Sequence, residues 1–219
     1  RKNPPYHIDD FAPLVFLGYA PLIIVAHPAF PPKNARELID YAKANPGKVN
    51  WGSSGLGSSL HIGLALFQAA TGTKVTHVPY KGAALSLTDV VGGQINLMHT
   101  TTVSGEAQIK AGRVKVLGVA DAKRQPVLPD VPSFAELGIR NADANVWFGM
   151  AAPAKTPKPV VDKLNREANK VLAMPDVRQR LDQLGLVIGG GTPGEFAAFI
   201  KTETQRLANL IKTGAISQQ

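Results

Sequence analysis

The run Asn50-Trp51-Gly52-Ser53-Ser54-Gly55-Leu56-Gly57-Ser58-Ser59-Leu60-His61 concentrates more chemistry than any other stretch of the chain. Between Gly52 and Ser59 it uses only glycine and serine, interrupted by Leu56. Lys48 to Trp51 leads in like a short strand, and Leu60, Leu64 and Phe67 follow at helical spacing. A glycine-rich turn between strand and helix lets the backbone take positive φ and turn successive N–H groups inward. The helix behind it adds unpaired N–H groups and the positive end of its dipole. With the hydroxyls of Ser53, Ser54, Ser58 and Ser59, such a turn suits a carboxylate or another small anion. The plainer reading, a turn that only caps a helix, stays open on local chemistry alone.

Sharper motifs fail on spelling. A nucleophile elbow read from Gly52 would need glycine where Leu56 stands. A dinucleotide fingerprint begins at Gly55-Leu56-Gly57 but ends on Leu60, and no phosphate loop of the G-x-x-x-x-G-K-[ST] type occurs. His61 lies one turn beyond the serines, yet no orienting carboxylate is near it in sequence. A hydrogen-bonding or structural role therefore outweighs nucleophilic catalysis. His7, His27, His77 and His99 are scattered without the spacing of a metal site, so no catalytic residue, metal or cofactor is expected.

Two further turns share the geometry. Pro79-Tyr80-Lys81-Gly82 ends a strand-like run, with Lys81 as a charge, Tyr80 as a ring with a hydroxyl, and Gly82 at a helix start. Thr100-Thr101-Thr102 again follows a strand. Ligands of open α/β sheets settle outside the carboxyl ends of strands, so three polar turns on one edge carry more weight than any one of them.

The elements that must position these turns are legible. Leu14–Leu17 and Leu22–Ala26 read as two short buried strands. Asn34 and Glu37 start a helix that Asn45-Pro46-Gly47 stops. Strands are expected at 48–51, 75–78, 95–98 and 114–120, with helices at about 83–91 and from Ser104 to Gly112. Short links between alternating strands and helices indicate a parallel α/β sheet. Beyond Asn145 come a strand to Ala152, helices at 156–173 and 175–184, a strand at 186–188 and a long helix after Thr192. Residues 1–12 read as an irregular lead-in.

With 219 residues the chain can bury a substantial core. Its apolar share of 44% and charged share of 18% belong to a globular chain. A net charge of +8 suits an anionic partner, but Lys and Arg are dispersed without aromatic interleaving, which argues against nucleic acid. There is no cysteine, which excludes disulfides and thiolate metal sites and is compatible with an oxidising compartment. The chain opens at Arg1-Lys2-Asn3-Pro4 without methionine, as a processed or shortened amino terminus would.

Taken together, the Gly/Ser loop with His61, Thr76-His77-Val78-Pro79-Tyr80-Lys81-Gly82, Gly92-Gly93-Gln94-Ile95-Asn96, Leu128-Pro129-Asp130-Val131-Pro132 and Trp147-Phe148-Gly149 with Ala152-Pro153 resemble one family. It is the tripartite tricarboxylate transporter receptors, the Bug family of periplasmic solute-binding proteins. The resemblance covers essentially the whole chain. It implies an α/β, type II periplasmic-binding-protein-like fold of two lobes joined by crossover strands. Lobe 2 would be 23–145, and 1–22 with 146–219 would form part of lobe 1, incomplete at its amino terminus.

The implied function is capture of a small organic carboxylate in the periplasm and its delivery to transporter subunits of the tripartite type, without catalysis, cofactor or nucleic acid. The implied ligand-binding set is Ser53, Ser54, Gly55, Gly57, Ser58, Ser59, His61, Tyr80, Lys81, Gly82, Thr100 and Thr101. Relatives often carry Asp where Thr100 stands, so a plain carboxylate is favoured over an amino acid. The alternative reading is the ligand-sensing effector domain of a transcription regulator of the same fold, with a small hydrolase a distant third. An incomplete lobe 1 would leave Val161, Leu164, Val171 and Phe196 partly in water, so self-association is expected of this chain taken alone.

Overall fold

The computed structural model describes residues 5–212 and 214, which fall into two compact units. One comprises Arg1–Ala20 and Trp147–Gln219, the other Pro21–Val146. Strand β1 (Phe11–Ala26) contributes to both, as one 16-residue element where two short strands are expected from sequence. Gly18 and Pro21, which look like breakers, sit inside it. Gly18 has a φ of 142° and lies so close to β7 (Val187–Gly190) that a Cβ there would approach the Val187 carbonyl to 2.3 Å. Pro21, with no N–H to give to a ladder, falls between the two registers of β1. Pairing with β7 runs to Tyr19, and pairing with β4 (Leu97–Thr101) starts at Leu22. Sequence punctuation here marks a change of partner, not an end.

In the Pro21–Val146 unit the strand order is β3-β2-β4-β1-β5, where β2 is Asn50–Ser53, β3 is Thr76–Pro79 and β5 is Lys115–Val119. β2 runs parallel to both β3 and β4, but β1 is antiparallel to β4 and to β5. The sheet is thus mixed, not parallel throughout, because the fully buried Leu22–Ala26 half of β1 enters from the other unit between two strands of opposite sense.

Helix α1 (Ala35–Ala44) is capped by Asn34, which accepts from the Glu37 N–H, and buries Leu38, Ile39 and Ala42. Helix α2 (Ser59–Thr71) buries Leu60, Leu64, Leu66 and Phe67. Trp51 packs its ring 5.1 Å from Phe67 and 4.9 Å from His99, which makes an aromatic seam between sheet and helix. On the other face lie α3 (Ala83–Val91) and α4 (Thr102–Lys110). Gly52 lets α3 approach, since a Cβ there would fall 2.1 Å from the Ser86 hydroxyl oxygen.

In the other unit β7 pairs antiparallel with the first half of β1, and β6 (Asn145–Pro153) also pairs with β1. Helices α5 (Lys158–Ala173), α6 (Pro175–Gln183) and α7 (Pro193–Lys212) complete it. Its core centres on Leu14, Val15, Leu172 and Phe196. Phe196, expected to be partly solvated, is only 3% exposed: it lies over Gly149, whose missing side chain makes room for the ring, and beside Phe16. Leu164 and Val171 do remain 41% and 46% exposed.

Candidate functional site

Three adjacent parallel strands, β3, β2 and β4, end at one edge of their sheet. β2 and β3 run into turns that open helices. β4 instead carries Thr100 and Thr101 as strand residues and passes directly into a helix at Thr102, so the turn expected at 100–102 is a strand-to-helix junction. The Gly/Ser turn leaves β2 and enters α2, Tyr80-Lys81-Gly82 leaves β3 for α3, and Thr101 joins β4 to α4. The first two turns touch: the Tyr80 N–H donates to the Ser53 carbonyl at 3.1 Å, and Gly55 packs against the Tyr80 carbonyl.

Within the Gly/Ser turn much of the polar capacity is spent on the turn itself. Ser53, fully buried, accepts the Gly55 N–H at 3.1 Å through its Oγ, which lies 2.7 Å from His77 Nε2. Ser58 donates its hydroxyl to the Gly55 carbonyl at 2.7 Å and caps α2 by accepting the His61 N–H at 3.3 Å. The Gly57 N–H donates to His61 Nδ1 at 3.0 Å. Gly55 and Gly57 have φ of 123° and 73°, a region closed to most side chains. The rings of His61 and His77 stack with centroids 4.1 Å apart and planes 7° from parallel. Burial holds the His61 imidazole below its ordinary range, and burial together with the neighbouring His61 brings His77 down to about 4.

What remains unspent defines the receptive part. Among the described residues, Ser54 has no hydrogen-bond partner for its hydroxyl or its N–H. The N–H groups of Leu56, Ser59, Lys81 and Gly82 and the Lys81 ammonium are equally unpaired. Helix α2 directs its first-turn N–H groups to the same edge. A group of hydroxyl, amide and ammonium donors, half-buried at Ser54, Ser59 and Gly82 and exposed at Leu56 and Lys81, with no carboxylate among them, is an anion receptor by composition.

The other predicted residues take supporting positions. Tyr80 turns its hydroxyl to Asp89 on α3, donating at 2.6 Å, and burial with this acidic partner pushes the phenol up to about 12. Gly82 precedes α3 as its N-cap, without a side chain to crowd the edge. Thr101 caps α4, accepting the Ser104 N–H at 3.3 Å. Thr100 is 1% exposed and faces α4, where it lines a cavity of about 420 Å³ with Ala84, Leu87, Ser104, Gln108 and Arg113.

His77 and Asp89 were missed by sequence reasoning. A lone histidine on a strand and a lone aspartate on a helix carry no local signal, and only the parallel register of β2 on β3 brings His77 to Ser53. Among the described residues no group of three or more His, Asp or Glu side chains could hold a metal ion, and no helix is long and apolar enough to cross a membrane.

The family model described as the tripartite tricarboxylate transporter family receptor matches residues 1–216. A UPF0065 protein from the tcbD-tcbE intergenic region of Pseudomonas sp. (strain P51) is 39% identical over 209 residues, 94% of this chain and 62% of that protein. The chain therefore spans less than two thirds of that relative's length. Among solved structures, the periplasmic binding protein BugD superposes with a TM-score of 0.85 at 35% identity, covering 100% of this chain and 74% of BugD. Rpa4515 of R. palustris, solved with adipate, superposes with a TM-score of 0.85 at 31% identity, covering 94% of this chain and 69% of its own.

Proposed function

The chain belongs to the tripartite tricarboxylate transporter receptor family, and from that premise we propose that it captures a small organic carboxylate in the periplasm and passes it to membrane subunits of its transporter. The observation that carries this reading is the set of unpaired donors at the ends of β2 and β3: Ser54, the N–H groups of Leu56 and Ser59, and Lys81 with Gly82. One ligand carboxylate takes hydrogen bonds from Ser54 and the start of α2, while Lys81 neutralises it from the adjoining turn. Ser53, Ser58, His61, Tyr80 and Thr101 shape the turns by the bonds described, and Gly55 and Gly57 supply their backbone forms. Thr100, within β4, packs beneath the junction of that strand with α4. The Pro21–Val146 unit corresponds on this reading to the second lobe of the receptor fold.

The site binds and releases without chemistry. Ser53 is the serine next to a histidine, but it is fully buried and among the described residues no carboxylate is bonded to His77, so a nucleophilic attack has neither access nor a relay there. The adipate bound by Rpa4515 supports a dicarboxylate as the ligand class.

The test is calorimetric titration with a panel of organic di- and tricarboxylates, adipate included. Ser54→Ala is expected to weaken binding by about 1 kcal/mol, the worth of one hydrogen bond. Gly57→Val should cost more, because a β-branched residue resists a φ of 73°. Absence of heat with every acid, or wild-type affinity in both variants, overturns the assignment.

A further inference from the structure

We propose that His61 and His77 are positioning residues: as one stacked pair they hold the Gly/Ser turn in its anion-receptive form while both rings are neutral, and they let it go when protonated. This rests on the reading of that turn as the carboxylate site. The two rings grip opposite ends of the turn. His77 Nε2 sits 2.7 Å from Ser53 Oγ, which in turn accepts the Gly55 N–H. His61 Nδ1 accepts the N–H of Gly57. Between these anchors the backbone carries the positive φ of Gly55 and Gly57 that leaves the Ser54 and Leu56 N–H groups unpaired.

Protonation attacks this arrangement at a stated atom. Because Nδ1 of His61 accepts a hydrogen bond, its ring proton is on Nε2 in the neutral form. An added proton must go to Nδ1, where it meets the Gly57 N–H donor head-on and removes that bond. The stack adds a second penalty, since two imidazolium rings with centroids 4.1 Å apart repel face to face. Burial of both rings, which disfavours the charged forms, acts in the same sense.

Among the described residues, the elements that carry the pair hold no carboxylate. Helix α2 and strands β2, β3 and β4 contain no Asp or Glu, and their only other titratable group is the buried His99. At the margins lie Lys74 ahead of β3, Tyr80 and Lys81 after it, and Asp143 beside Ala144, which packs near Gly63 of α2. Asp89 is engaged by Tyr80, and on the segment whose Phe134 meets Phe67, Glu136 is paired with Arg124. Protonation of the pair therefore builds positive charge beside the turn, which opening the turn relieves.

Two measurements test this together. In the ligand-free protein, NMR follows the Gly57 amide and the two imidazoles from about pH 7.5 to about 3.5, an interval that spans the ordinary histidine range and the lowered one of this pair. The rings should titrate below the ordinary histidine range, and the Gly57 amide should lose protection from exchange with them. In parallel, adipate is titrated into wild type, His61→Gln and His77→Gln at each pH. Glutamine cannot be protonated in this range, so whatever affinity His61→Gln loses at neutral pH by disturbing the Gly57 contact, it should lose nothing further through this position on acidification.

From neutral pH to the acid end, the affinity of wild type relative to His61→Gln should fall about tenfold, a ratio in which protonation of adipate itself cancels. A ratio that stays constant with pH, wild-type binding that tightens on acidification, or a Gly57 amide indifferent to pH overturns the proposal. If no carboxylate binds at any pH while the rings and the Gly57 amide titrate together, the latch stands and the carboxylate reading fails.

Discussion

At the scale of single residues, the unit that carries the candidate site sets three histidines against one sheet face, with His61 and His99 buried and His77 half-buried. His99 on β4 is fully enclosed, its ring against Trp51, with no well-formed hydrogen bond at either nitrogen. Burial, only partly opposed by the nearby Leu60 backbone, brings its pKa down to about 3. His61 and His77 are lowered in the same direction. The sign follows from linkage: the unfolded chain takes up protons near pH 6.5, the folded chain only at much lower pH, so stability rises with pH across that gap. Full stability is expected above about pH 6.5, with a progressive loss toward about pH 3 on the order of a few kcal/mol. Urea unfolding at a series of pH values measures it. The slope above the carboxylate range should shrink in a His99→Met variant, whereas stability that is flat between pH 6.5 and about 4.5 contradicts the assignment.

At the scale of elements, β1 organises both units, and its glycine is its weak point. Gly18 combines a φ of 142° with a space that ends 2.3 Å from the Val187 carbonyl, so an added methyl meets backbone that cannot swing aside. Gly18→Ala should destabilise by about 2–4 kcal/mol, from backbone strain and overpacking together. Gly47→Ala is the control: its φ of 75° is also positive, but nothing lies within 4 Å of the added carbon, and about 1 kcal/mol is expected. Equal losses in denaturant midpoint would show that backbone strain alone, not the approach of β7, sets the requirement at position 18.

At the scale of the whole molecule, the unit built from Arg1–Ala20 and Trp147–Gln219 presents a broad apolar exterior. Phe11, Phe148, Met150, Val160, Leu164 and Val171 are each more than two-fifths exposed. Covering a few hundred Å² of such surface is worth several kcal/mol at about 25 cal/mol per Å², a large part of a domain's net stability. A protein consisting of these 219 residues alone is therefore expected to self-associate. Light scattering with intact-mass measurement decides it: dimers or larger species are expected, and Leu164→Lys with Val171→Lys should shift them toward monomer. A monodisperse monomer at high concentration contradicts the expectation.

By itself the sequence determined most of the element series, the polar turns after β2 and β3, and the family, because each rests on short-range pattern. Gly/Ser content dictates a turn, 3.6-residue spacing dictates α2, and Asn34 with Glu37 dictates the start of α1. The boundaries of α3 and α7 follow from Gly82 and Gly92, and from Thr192 and Pro193, which act on their immediate neighbours. What only the tertiary structure decided is pairing at a distance. The union of two apolar runs into β1, its antiparallel entry beside β4, and the burial of Phe196 over Gly149 depend on residues far apart in the chain. So do the contacts of His77 with Ser53 and of Tyr80 with Asp89, which separate donors spent on the turn from those left for a ligand. Composition names the groups able to hold an anion, but hydrogen-bond capacity is finite, and only packing settles which of them is already used.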